Sequence, residues 1–312
     1  MDSPFPFVYR YGTVPVSLSF IHPTLYPTRP YPTPHTHPCY TLKQSLLHTA
    51  SIIMSDSKRQ YIWLVRYGLT ERALVENVGP YDSDIDPNVG MTHARAIADR
   101  IAMNAAARPS VVYSDPFLRC THTADVIVKA LVDQPAKIHR IEEGITEWLV
   151  PSLLVDPAGN KTDPRSVNEL QALFPENIDL NYRSVNPVVK DGTPRESAPQ
   201  GAPLFIESQA DLYARCATTV SRILETINED NIVIVSHAPC LQMMALKLEG
   251  YTDPSESKLG YWSLGGLTRF SRRCDAGDGP WQLDFYSDTC HMPGDYQDGI
   301  KGRWSLPSFI RD

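Results

Sequence analysis

No run of about 18 apolar residues occurs in the 312-residue chain, so the sequence offers no candidate membrane-spanning helix. It also lacks a surplus of positive charge. There are 29 Lys and Arg against 36 Asp and Glu, a net of −7, which argues against non-specific binding to nucleic acid or to an anionic membrane. None of the six cysteines, at positions 39, 120, 216, 240, 274 and 290, forms a C-x-x-C pair, which leaves a zinc ribbon or a thioredoxin-like motif without its ligands. Six scattered thiols in so long a chain make no disulfide scaffold, and free cysteines in a reducing compartment are expected. No G-x-x-x-x-G-K-[ST] loop is present, and Gly265-Gly266 alone is too weak a signal for a dinucleotide site. No repeat of 20–50 residues is visible. What remains is a chain of which 42% is hydrophobic, enough to bury a sizeable core as two domains or one large α/β domain.

The first 54 residues differ from the rest. They hold 9 of the 27 prolines and 4 of the 9 histidines, with one acid (Asp2) and three bases (Arg10, Arg29, Lys43). Apolar periodicity is absent, so residues 1–57 are expected to be a disordered Pro/His/Thr-rich tail. An organelle transit peptide, a plain tail and an upstream extension missing from the mature protein compete. Met54-Ser-Asp-Ser-Lys58 reads like a natural chain start, which favours the last two. A weak metal site at His35, His37 and Cys39 is the lesser reading of a solvated polar tract.

From residue 58 onward, strand and helix patterns alternate. Tyr61–Val65, Ser110–Tyr113 and Ile232–Val235 are short apolar runs of the kind found in buried parallel strands. Lys137–Ile141 alternates as a third strand. Helices are expected from Thr92 to about Met103, from Pro116 to about Leu131, from a Ser208 cap to about Ile227, and from Pro239 to about Leu248. Trp262–Arg272 and Trp281–Tyr286 read as final strands. An insertion spans about 149–207, with one short helix at Ser166–Phe174. The pattern predicts an α/β domain over 58–312 with a mainly parallel sheet.

In open α/β sheets, ligands sit beyond the carboxyl ends of the strands. Arg66, Arg119 and His237 each follow a predicted strand, and two guanidinium forks plus an imidazole make a cradle for a phosphoryl group. Glu147 adds a carboxylate able to give or take a proton. Plainer readings stand beside these. Arg66 could pair with Glu71, His237 could be a satisfied core histidine, and Glu147 could be a solvated acid like Glu142 or Glu143. His93 and His122 read as structural, and Cys120 and Cys240 as small buried side chains.

The motifs resemble the histidine phosphatase superfamily, which includes the cofactor-dependent phosphoglycerate mutases. The nearer likeness is to the phosphatase domain of the ubiquitin-associated and SH3 domain-containing proteins. Leu64-Val65-Arg66-Tyr67-Gly68 matches the signature Leu-Val-Arg-His-Gly at all but one position. Ser114-Asp-Pro-Phe-Leu-Arg119-Cys-Thr-His-Thr-Ala124 matches Ser-x-Pro-x-x-Arg-x-x-x-Thr-Ala. Glu143-Gly-Ile-Thr-Glu147-Trp148 and Ile232–His237 are similar to the segments carrying the acid and the second histidine. The resemblance implies a three-layer α/β/α sandwich of the phosphoglycerate mutase-like type. It also implies a phosphohistidine mechanism with Arg66, Thr70, Arg119 and His237 as phosphate ligands and Glu147 as proton donor, and with no cofactor or metal.

Tyr67 stands where the family places its nucleophile. A phenol titrates near 10 and an imidazole near 6.5, so at neutral pH only the latter is largely free base. Loss of a covalent nucleophile usually removes several powers of ten in rate, on the order of 10⁴. The expectation is therefore a phosphoryl-binding but catalytically impaired protein. The alternative is an active phosphomonoesterase using altered chemistry. Expected partners are a phosphorylated small molecule or phosphoprotein, with a homodimer possible and neither nucleic acid nor membrane involved. The expected location is cytoplasmic, with organelle targeting by the tail left open.

Overall fold

In the computed structural model, residues 58–71, 82–131, 138–148, 164–187, 207–226, 231–253, 259–274 and 280–304 are described. All of them belong to the compact unit Thr49–Asp312. The predicted tail and most of the predicted 149–207 insertion lie outside the described residues.

The elements follow in the order β1 (Arg59–Arg66), α1 (Val89–Ala102), β2 (Val111–Ser114), α2 (Leu118–Ala130), β3 (His139–Ile141), α3 (Val167–Leu173), α4 (Gln209–Thr226), β4 (Asn231–Ser236), α5 (Ala238–Glu249), β5 (Leu267–Arg273) and β6 (Gln282–Asp288). They form one six-stranded sheet in the order β3-β2-β4-β1-β5-β6. The first four strands of that order run parallel, while β5 and β6 add an antiparallel edge. The apolar runs lie inside β1, β2 and β4 because parallel strands covered on both faces need apolar residues at successive positions.

Alternate side chains of these strands feed two cores. Ile62, Leu64, Val111, Tyr113, Ile232 and Ile234 pack with α4 and α5. Trp63, Val65, Val112, Val233 and Val235 pack with α1 and α2. This is the expected three-layer sandwich. The expected Ser208 cap also holds, and the short helix at Ser166 carries a cap the sequence reading did not assign. Ser166 closes a capping box with Glu169, and the Ser208 hydroxyl accepts from the Asp211 N–H at 3.1 Å.

Three of the boundaries that differ from the sequence expectation have a visible local cause. Helix α2 begins at Leu118 rather than Pro116, because Asp115 Oδ1 takes the Phe117 N–H at 2.7 Å and keeps that turn extended. Helix α1 begins at Val89 rather than Thr92, because the Asp86 carboxylate accepts the Asn88 and Val89 N–H groups. Strand β5 begins at Leu267, not Trp262. Trp262 makes an isolated bridge to Trp304, and the chain then turns through Gly265 at φ +65°. That turn meets the end of β1: the Gly265 N–H donates to the Tyr67 carbonyl and the Arg66 N–H to the Gly266 carbonyl, each at 3.2 Å.

Candidate active site

Parallel pairing in register brings the chemical groups together. Arg66 lies beside Ser236, Val235 beside Ser114, and Ser114 beside Ile141. The residues just beyond these positions therefore share one edge of the sheet: Tyr67 after β1, Asp115 after β2, Glu147 in the loop after β3 and His237 after β4. Arg119 reaches the same point from the first turn of α2.

His237 is the centre and is almost fully buried. Its Nε2 donates to Asp115 Oδ2 at 2.9 Å. Its Nδ1 donates to Glu147 Oε2 at 2.7 Å. Arg119 Nη2 is 3.2 Å from the same Nδ1 and 3.4 Å from Glu147 Oε2. The shorter carboxylate contact decides the proton: both ring nitrogens face acceptors, so the ring is an imidazolium. Burial alone would favour the neutral ring, but Asp115, Cys120 and Glu147 raise its pKa well above the ordinary value. Burial would likewise push the Glu147 carboxyl up, yet His237 and Arg119 bring it down to about 2. Glu147 is thus ionised in this state, whereas the sequence reading gave it a proton to donate.

Tyr67 presents its ring edge to His237 at 5.3 Å between centroids. The Arg119 and Arg66 guanidinium carbons lie 5.1 and 5.9 Å from the Tyr67 ring centre. Arg66 does not pair with Glu71. Its Nη1 donates to the Trp262 and Gly302 carbonyls, and its Nε–H is buried without a hydrogen-bond partner. Thr70 is half-buried, and its backbone bridges to Ile85 rather than joining the cluster around His237.

His93 and His122, read from the sequence as structural, make their polar contacts outside the cluster around His237. His93 is buried and its Nδ1 faces the Leu69 N–H at 3.4 Å. His122 pairs with Asp84 at 2.9 Å. Asp115, Cys120 and His237 bring ligand atoms within 4.8 Å of one another. A cation there would have to displace the proton between Asp115 and His237. It would also have to ionise a Cys120 thiol that burial pushes up to about 12, beside the Arg119 charge. That donor set is poorly suited to a metal.

Sequence reasoning missed two supports. Asp115 joins the Phe117 N–H, the Glu147 N–H and His237. Arg215 on α4 forks onto Glu207 with two contacts of 2.7 Å and donates to the Gly144, Thr146 and Glu147 carbonyls. Ser236 Oγ and Cys240 Sγ hold the same loop through Ile145 and Thr146. A charge on the apolar stripe of α4, between Leu212 and Cys216, was the available signal for Arg215.

Known proteins resemble this chain in part of its sequence and in its fold. Residues 181–288 match the histidine phosphatase superfamily (branch 1), a span that contains His237 but not Tyr67 or Arg119. The human ubiquitin-associated and SH3 domain-containing protein A is 31% identical over 181 residues, 55% of this chain and 24% of that protein. The mouse protein is 28% identical over 179 residues, 55% and 26% of the two chains. The chain therefore spans about a quarter of the length of these curated relatives. Among solved structures, the ecdysone phosphate phosphatase of Bombix mori in complex with tungstate aligns with a TM-score of 0.51 and 14% identity. It covers 75% of this chain and 94% of that one, a likeness of fold alone. The fold is phosphoglycerate mutase-like, and the family-model and curated matches support a likeness to the histidine phosphatase superfamily. Among the described residues no helix is long and apolar enough to cross a membrane.

Proposed function

We propose that this site binds a phosphoryl group of a small molecule or phosphoprotein and turns it over poorly. The observation that carries the reading is the buried Arg66 Nε–H without a partner, on the last residue of the parallel strand β1 and next to Tyr67. A buried donor without an acceptor costs about 1–3 kcal/mol, and an incoming oxyanion removes that cost. Arg66, Arg119 and the His237 imidazolium supply three positive charges against two carboxylates, Asp115 and Glu147. Residues carried over from the resemblance take matching roles: Arg66, Arg119 and His237 as phosphate ligands, Tyr67 at the nucleophile's position and Thr70 as an outer contact. Impaired turnover follows from Tyr67, since a phenol is a poor nucleophile at neutral pH, and from a Glu147 that has no proton to give before ligand arrives.

A second reading, an active phosphomonoesterase, draws on the ring of Tyr67 lying against both Arg119 and His237. One pair of measurements separates the two. Calorimetric titration with phosphate, sulfate and vanadate is expected to show binding that weakens about 10–150-fold in Arg119→Ala, the value of one charge-assisted contact of 1.5–3 kcal/mol. Equal affinity in both proteins, or none in either, removes the site. Turnover of an aryl phosphate at ordinary enzyme rates by the unaltered protein selects the second reading.

A further inference from the structure

We propose that Asp115 is a positioning residue: it fixes His237 as an imidazolium, anchored through Nε2, with Nδ1–H as the one exchangeable donor facing the pocket. The asymmetry between the two carboxylates on His237 carries the inference. Asp115 is fully buried, and all three of its contacts point into the fold: Oδ1 accepts the Phe117 N–H at 2.7 Å, while Oδ2 accepts the Glu147 N–H at 3.1 Å and His237 Nε2–H at 2.9 Å. It cannot leave His237 without stranding two backbone donors. Glu147 is held to His237 by its Oε2, which it shares with Arg119, while its Oε1 takes only the adjacent Trp148 N–H. Arg119 stands 3.2 Å from Nδ1, so an anion that meets Arg119 also meets that proton.

Every group facing the ring agrees with this division. Asp115 follows β2, Arg119 and Cys120 lie on α2, Glu147 is in the loop after β3, and the rings of Tyr67 and Phe117 pack edge-on against His237. Cys120 Sγ is 3.5 Å from Nε2, so if Asp115 is lost only a thiol, not a second anion, remains on that side. When an oxyanion arrives, Glu147 yields Nδ1–H to it and Asp115 keeps the ring charged. The positioning role stands on the ligand-free geometry; its consequence for anions rests on the phosphoryl-site reading above.

The test uses the full chain and two readouts. Long-range ¹H–¹⁵N spectra of the His237 imidazole across pH 5–9 report the ring directly. The unaltered protein is expected to keep both ring nitrogens protonated throughout. In Asp115→Asn the carboxylate charge is gone whichever way the amide turns, and deprotonation of the ring is expected within that range. Calorimetric binding of inorganic sulfate, whose charge is constant over this range, is expected to fall at least tenfold between pH 5 and 9 in Asp115→Asn and to show no such step in the unaltered protein. A His237 that titrates near its ordinary value in the unaltered protein overturns the proposal, whether or not the variant folds. So does an Asp115→Asn protein whose ring stays doubly protonated. Absence of sulfate binding in the unaltered protein overturns the phosphoryl-site reading instead, and leaves the spectra to decide Asp115.

Discussion

Replacing Tyr67 by histidine tests whether the defect in this site is one side chain. The Tyr67 ring packs against His237 at 5.3 Å and lies 5.1 and 5.9 Å from the guanidinium carbons of Arg119 and Arg66. An imidazole keeps an aromatic edge there, so the stability cost should stay near 1 kcal/mol. An imidazole, the stronger nucleophile at neutral pH, replaces a phenol, and a rate gain on the order of 10²–10⁴ is expected for an aryl phosphate. The substrate matters, because Glu147 is the group the resemblance assigns as proton donor to the leaving group. Burial opposes its ionisation, but His237 and Arg119 bring it to about 2, so it supplies no proton at first encounter. p-Nitrophenyl phosphate, whose leaving group needs no proton, should therefore gain more than phosphoserine. Single-turnover assays from pH 4 to 9, with alkaline trapping of phosphohistidine, measure both. Tyr67→His combined with His237→Ala should lose the gain. A Tyr67→His protein that binds sulfate normally yet stays inert would refute a local defect. Phosphotyrosine trapped at position 67 in the unaltered protein would refute impairment itself.

Two further predictions concern stability. Burial lowers His93, His139 and His291 to about 4 each, so between pH 6.5 and 4 the unfolded chain binds more protons than the folded one and stability falls with pH. Each contributes about 1.4 kcal/mol per pH unit, or up to about 6 kcal/mol in all from pH 6.5 to 5. The raised His237 acts in the opposite sense, but its contribution is already complete below about 6.5. Urea midpoints at these two pH values that coincide would contradict the burial of neutral rings. Separately, Arg215→Met removes the guanidinium that forks onto the buried Glu207 carboxylate and donates to three loop carbonyls. A loss of about 3–5 kcal/mol is expected, read as a thermal midpoint lower by more than about 5 °C; an unchanged midpoint would show that the clamp is dispensable.

How much of this was legible depends on the range over which each feature is decided. Tyr61–Val65 and Ile232–Val235 announce buried parallel strands because a strand covered on both faces must be apolar at every position, and that requirement is local in sequence. The strand ends then bring Arg66, Asp115 and His237 to one edge of the sheet, since register aligns distant segments, and Arg119 reaches that edge from α2. Helix starts were misread where a carboxylate one to three residues upstream captures backbone N–H groups, as Asp115 does with Phe117 and Asp86 with Val89. Pro116 signals only that a helix can begin, not that the next N–H is already taken. The charge state of the site was not legible at all. Whether Glu147 holds a proton is decided by His237, 90 positions away, and whether His237 is charged is decided in turn by Asp115. A motif names which groups meet, but protonation belongs to the pairs they form. In this site His237 lies between two acids, and the sequence reading assigned a role to only one of them, Glu147. Asp115 carried one visible signal: an acid at the end of a fully buried strand, where an isolated carboxylate is too costly to keep without a cation or several donors. Its Oδ2 has both, the Glu147 N–H and the His237 ring. That burial requirement makes the ring charge part of the folded structure, set before any phosphoryl group reaches Arg66 and Arg119.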